Sequence, residues 1–210
     1  MKRLRLGVLA SGGGSNLQSI IDRSLDGTLS ADVVVVISNN SSARALDRAR
    51  INGIDALHIS SATENSPDAV DSRITREFAG RNVDLVVLAG YMKKIGPLLL
   101  QAFKGRIINI HPALLPKFGG KGMYGMHVHN AVITAGEKES GPTVHMVDDK
   151  YDHGTILAQV KVPVIEDDTP ESLQKRVLAE EHRIMPDTIQ YIAENWESSW
   201  SEPGQREPKN

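Results

Sequence analysis

The sequence predicts an α/β fold, a mostly parallel twisted sheet flanked by helices, with an antiparallel strand toward the C-terminal part. Three observations carry this. Short β-branched runs alternate with segments of helical periodicity, as successive strand–helix units do. The early apolar runs are nearly continuous rather than alternating, which suits strands covered on both faces. A glycine-rich turn, Ser11-Gly12-Gly13-Gly14-Ser15-Asn16, falls between the first such run and the first helical segment.

Leu4–Ala10, Val33–Ser38, Asp84–Ala89 and Arg106–Ile110 read as the parallel strands. Thr143–Val147 and Ile156–Val164 read as two later strands, partly antiparallel and nearer an edge. Helices are expected over Asn16–Leu25, Ala43–Asn52, Asp68–Gly80 and His127–Ala135, with Gly53 and Gly136 as C-terminal stops. A longer helix starts at Thr169-Pro170-Glu171, where a cap residue precedes a first-turn proline and an acidic residue, and runs to about Glu194. The polar segment Ser198–Asn210 carries Pro203 and Pro208 and is expected to be loose. No repeat or linker divides the chain, so residues 1–194 form one expected domain, with 195–210 as a tail.

The chain has 210 residues, 40% hydrophobic and 24% charged, which is enough for a sizeable core. Its 24 basic and 26 acidic residues leave a net charge of −2, giving no electrostatic reason to bind nucleic acid or an anionic membrane. The absence of cysteine excludes disulfides, thiolate metal ligands and cysteine nucleophiles, and fits a reducing compartment. Met1–Ala10 opens with positive charge and apolar residues, but the glycine turn cuts the apolar run short of a signal peptide. No stretch approaches the ~20 apolar residues that span a bilayer. The expectation is a soluble, cytoplasmic protein.

The glycine turn lets the backbone approach a ligand closely, and the helix that follows offers free N–H groups to a phosphate. It has neither a P-loop lysine nor a full dinucleotide fingerprint, so a plain turn with Ser15 as cap stays open beside phosphate binding. In Asn109-Ile110-His111-Pro112, residues two apart on a strand share a face, so Asn109 and His111 project together. An amide that stabilises an oxyanion beside an imidazole that moves protons suits acyl transfer; the other reading is a histidine that orders the Pro112 turn. Asp152, in Asp148-Asp149-Lys150-Tyr151-Asp152-His153-Gly154, either raises a histidine pKa as a nearby carboxylate or sits in a solvated turn. His127 and His129 are badly spaced for two ligands on one helical face. With no His-Glu-x-x-His pattern, no metal is expected. His145, between Val144 and Met146, either packs or lines the site. His58 and His182 have no evident partners.

With these residues in place the chain resembles the phosphoribosylglycinamide formyltransferase (GAR transformylase) family over about residues 4–194. The stretch Ile108–Phe118, INIHPALLPKF, is close to that family's signature. Ser11–Leu17, Leu88-Ala89-Gly90-Tyr91-Met92 and Tyr151–Gly154 follow in family order and spacing. The resemblance implies a Rossmann-like formyltransferase fold, with a phosphate-binding half at about 1–105 and a folate and catalytic half at about 106–194. It implies transfer of a formyl group from 10-formyltetrahydrofolate, as co-substrate, to the amine of 5'-phosphoribosylglycinamide in de novo purine (IMP) biosynthesis. It also implies roles: Asn109 on the formyl oxygen, His111 as general acid/base, Asp152 holding its charged form. Gly13, Gly14, Ser15 and Asn16 would grip the phosphate, Glu181 would contact the ribonucleotide, and Met92, Lys93, Lys94 and Ile95, with Asn109, would line the folate. Partners would be small molecules, in a monomer or homodimer.

The chain departs from the family at Lys93, where an arginine is common, and at Pro67, where some members place a folate-side arginine. The stretch Gly119–Met126 looks longer than in many members, and its glycines suggest a mobile loop over the substrate, the other reading being a plain surface insertion. Methionyl-tRNA formyltransferase and formyltetrahydrofolate hydrolase share the chemistry, but would bring a basic C-terminal or a regulatory domain. A metabolite-binding module without catalysis would have no need of Asn109, His111 and Asp152 in family order.

Overall fold

The computed structural model describes residues 3–196. Five parallel strands, β1 (Leu4–Leu9), β2 (Ala31–Ser38), β3 (Asp55–His58), β4 (Leu85–Leu88) and β5 (Ile107–His111), stand in the order β3-β2-β1-β4-β5. The short β6 (Glu139–Ser140) lies apart from them. The main sheet continues through β7 (Thr143–Met146), antiparallel on β5, and β8 (Ile156–Gln159), antiparallel on β7. β9 (Val162–Pro163) pairs with β6 in a separate two-stranded sheet. The helices are α1 (Ser15–Leu25), α2 (Arg44–Ile51), α3 (Ser61–Glu64), α4 (Pro67–Gly80), α5 (Pro97–Ala102), α6 (Met126–Thr134) and α7 (Pro170–Glu194). None is long and apolar enough to cross a membrane.

The continuous apolar runs are explained by two cores, one on each face of the sheet. Leu85 and Val87 of β4 join α1, α2 and α7 in one cluster; Val86 and Leu88 join Ile74, Phe78 and Leu99 of α4 and α5 in the other. Alternate residues go to opposite faces, and both faces are dry. α7 starts where the sequence places it: Thr169 accepts from the Ser172 amide at 3.2 Å and Pro170 fills the first turn. At its far end Asn195 caps the helix and Trp196 packs on the first core. The expected loose segment Ser198–Asn210 lies outside the described residues.

Four elements escape sequence reading. β3 and β6 are four and two residues long, α3 is one turn, and α5 has six residues beginning with Pro97. The expected strand Ile156–Val164 is corrected to two. The chain leaves β7 after Gln159, and Val160 N–H donates to Pro142 O at 3.2 Å. Gly141 comes so close that a Cβ there would stand 1.8 Å from Val160 O, and Val162 then pairs with Ser140.

The fold places the site where strand order reverses. β1 leads into α1 on one face, while β4 leads into α5 on the other, so the loops after these adjacent strands diverge and open a crevice at their carboxyl ends. Both loops are fixed from outside. The glycine turn is held by α2, whose Ala45 amide donates to Gly12 O at 3.1 Å and whose Arg48 Nε donates to Gly13 O at 2.8 Å. The loop after β4 is anchored by buried Asp71 of α4, whose carboxylate accepts from the Leu98 and Leu99 amides at 2.8 and 3.1 Å.

Gly14 has φ 70°, and a Cβ on it would lie 2.8 Å from Ala45 Cα. Gly14→Ala therefore combines left-handed strain with overpacking against backbone. It is expected to lower unfolding free energy by about 1–3 kcal/mol in urea melts, and an unchanged midpoint would show that the turn has slack.

Candidate active site

β5 carries Asn109 and His111 on one face, as the two-residue period requires, and the antiparallel β7 brings His145 directly opposite Asn109. Asn109 Nδ2 lies 3.1 Å from His145 Nε2, and His145 Nδ1 lies 2.8 Å from Met146 O. The Met146 carbonyl can only accept, so Nδ1 carries a proton, and in the neutral ring Nε2 then accepts from the amide. The amide is thereby oriented, with a second N–H left for a ligand.

His111 is fixed the same way from the other side. Its Nε2 lies 2.7 Å from Phe118 O, which can only accept, so the neutral ring is protonated at Nε2. Its Nδ1 faces Asp152 Oδ2 at 3.6 Å. Asp152 is also 3.5 Å from His145 Nε2 and accepts from the Gly120 amide at 2.8 Å. One carboxylate thus stands between two imidazoles, its backbone at φ 57°. A side chain at Gly154 would place Cβ 1.8 Å from Met146 O, so the segment after Asp152 lies against β7.

Asp152 does raise the histidine pKa, as expected, but it is not the largest influence on it. Burial lowers that of His111 and outweighs the raising effects of Asp152 and the Phe118 carbonyl, so the net direction is down and the resting ring is neutral at pH 7. Asp152 also lies below its usual range: burial pushes it up, but His145, the Gly120 amide and His111 together pull it further down.

These groups open on a cavity of about 280 Å³. Asn109, His111 and Asp152 line its centre, and Met92, Lys93, Lys94 and Ile95 form one wall, Ile95 buried and the others exposed. Asn16 and Glu181 mark the end nearest the glycine turn, joined by a 2.6 Å hydrogen bond from Asn16 Nδ2. Gly13, Gly14 and Ser15 lie beyond the lining residues, on the turn itself. Pro67 is the exposed first residue of α4, outside the cavity. Gly120, Gly122, Met123, Tyr124 and Gly125 of the expected loop also line it.

Sequence reasoning left His145 undecided and missed two groups. The Phe118 carbonyl has no side-chain signature. His129 on α6 is buried against the cavity with Nδ1 unpartnered, and burial and His111 push its pKa down to about 4. A hydrophobic-face position in the α6 pattern was its only signal.

The geometry matches known proteins. The family model for formyl transferases fits residues 4–189. The chain belongs to the formyl transferase family. This transferase is 46% identical over 204 residues to the chloroplastic phosphoribosylglycinamide formyltransferase of Arabidopsis thaliana, covering 97% of this chain and 70% of that protein. It is 38% identical to the phosphoribosylglycinamide formyltransferase of Escherichia coli, covering 89% of this chain and 86% of the other. The crystal structure of glycinamide ribonucleotide transformylase 1 from Symbiobacterium toebii superposes with a TM-score of 0.87 at 44% identity, covering 92% and 89% of the two chains.

Glu181 is 8% exposed, and burial pushes its pKa up to about 7 from 4.5 against the opposing pull of Asn16. The folded state therefore holds this proton more tightly than the unfolded chain, and ionising the carboxyl costs stability as pH rises from about 4.5 to 7. Glu181→Gln has no proton to lose. Urea unfolding between pH 5 and 8 is expected to show the variant gaining on the wild type by up to ~1.4 kcal/mol per pH unit across that window; parallel pH profiles would contradict the assignment.

Proposed function

We propose that this formyl transferase moves the formyl group of 10-formyltetrahydrofolate to the amine of 5'-phosphoribosylglycinamide, giving the N-formyl product and tetrahydrofolate in de novo purine biosynthesis. The convergence of Asn109, His111 and Asp152 at the centre of one cleft carries the reading. A phosphate-suited glycine turn flanks one end, and a half-apolar wall, Met92–Ile95, forms one side. The amine nitrogen attacks the formyl carbon, and the carbonyl oxygen becomes an oxyanion that accepts from the Asn109 N–H not committed to His145. Neutral His111 takes the amine proton at Nδ1, the nitrogen left free by the Phe118 carbonyl, and Asp152 stabilises the imidazolium. The tetrahedral intermediate collapses with loss of the folate nitrogen, which receives a proton in turn. Atoms balance without redox change.

On this reading Gly13–Asn16 hold the phosphate, Glu181 the ribonucleotide, and Met92–Ile95 the folate, with the single domain at 1–194 working on small molecules in the cytoplasm as a monomer or homodimer. Lys93 supplies a point charge rather than a planar fork to the folate's glutamate tail.

A spectrophotometric assay of donor consumption with and without the ribonucleotide tests the reaction; consumption without an acceptor would mark a hydrolase instead. Asn109→Ala is expected to lower kcat by roughly 10²–10³ and to weaken folate binding as well, and His111→Ala to lower kcat by roughly 10²–10⁴ with folate binding retained. Asp152→Asn removes a group that raises the His111 pKa and can place an amide N–H on Nδ1, which favours the neutral ring. Its acidic limb in the kcat/KM profile is expected to move to lower pH as kcat falls. A limb moving upward would show that Asp152 acts on another group.

A further inference from the structure

Ser11 bonds the glycine turn directly to the loop after β4. Its N–H donates to Gly90 O at 3.0 Å, and its Oγ accepts from the Met92 amide at 2.8 Å. The same hydroxyl donates to Asn39 Oδ1, in the loop after β2, and Asn40 Nδ2 reaches Ser11 O at 3.4 Å. One side chain therefore ties together the carboxyl ends of β2, β1 and β4. The hydroxyl's single proton is used toward Asn39, so a lone pair must face Met92 N–H and the three groups hold one arrangement.

Met92 begins the wall read above as the folate's, and Ser11 begins the turn read as the phosphate's. Between Ser11 and Gly14 the carbonyls of Gly12 and Gly13 are held from behind by Ala45 and Arg48 of α2, while a Cβ on Gly12 or Gly13 would meet nothing within 4 Å, so the other side of the turn is open to a ligand. Downstream of Met92, Lys93 and Lys94 are exposed, Ile95 is buried, and Leu98 is pinned by Asp71. Each subsite stretch thus has one end on Ser11.

We propose that Ser11 is a positioning residue that couples the two substrate subsites, so that a ligand on the glycine turn and a ligand on the 92–95 wall strengthen each other's binding. The inference rests on the subsite assignment above. An anion that draws the turn's amides toward itself carries Ser11 with it, and the Met92 amide follows through the shared hydroxyl. The second ligand meets a wall already shifted toward its bound position, and linkage makes the effect reciprocal.

The dead-end pair of tetrahydrofolate and glycinamide ribonucleotide tests this without turnover. Calorimetry on the whole protein would give the tetrahydrofolate Kd with and without saturating ribonucleotide. The wild type is expected to tighten at least about fivefold. Ser11→Ala is expected to bring that factor below about twofold while the ribonucleotide's own Kd and the melting temperature stay near wild type, a split that loss of folding alone would not produce. Asn39→Ala, which touches neither subsite, is expected to lower the factor as well, and Asn39→Asp, which keeps the acceptor, to restore it. A wild-type factor near one, or an undiminished factor in Ser11→Ala, would overturn the coupling while leaving the functional reading intact. Failure of the wild type to bind either ligand would overturn both.

Discussion

β7 enters the sheet antiparallel to β5, and in that register Asn109 stands opposite His145 and His111 opposite Thr143. Shifting the pairing by one residue would turn His145 to the other face of the sheet and leave the Asn109 amide unoriented. The register is locked below the site by Thr143, whose buried hydroxyl donates to Ala113 O at 2.6 Å and accepts from the Leu115 amide at 3.1 Å and from Gln159 Nε2 at 2.9 Å. A parallel strand would have needed a long crossover here. The antiparallel one lets the chain turn at residues 148–152 and deliver Asp152 beside both histidines. Strand direction, more than any single contact, decides which side chains meet.

The sheet itself was legible because its strands are buried on both faces and so spell themselves out as apolar runs. The long helix was legible because Thr169 and Pro170 announce its start. What stayed hidden was short or defined by partners. β3 needs β2 beside it to be a strand at all, and α5 is held by a carboxylate from α4 rather than by its own sequence. In the site, the Asn109–His111 pair could be read from the period of a strand. His145 could not, because its meaning comes from a cross-strand neighbour 36 residues away. The direction of the His111 shift was out of reach for a similar reason: the carboxylate was visible in sequence, but the burial that outweighs it was not.

Both histidines at the centre have one nitrogen committed to a backbone carbonyl, Phe118 for His111 and Met146 for His145. These carbonyls can only accept, so each fixes which ring nitrogen carries a proton in the neutral imidazole. At the opposite end of the cleft the buried Glu181 carboxyl is pushed up to about 7.

Phe118 and Asp152, which hold the two sides of the His111 ring, are both non-glycine residues in the left-handed region, at φ 55° and 57°. Such residues cost about 1–3 kcal/mol each and persist only where their surroundings insist on them. Glycine would relax the backbone at either position, but at 152 it would remove the carboxylate itself, and at 118 it would remove a side chain packed on the small core of Val132, Val162, Leu173 and Val177. The strain is therefore tied to side chains these positions cannot give up: one is needed for the charge beside His111, the other for the packing that holds its carbonyl in place.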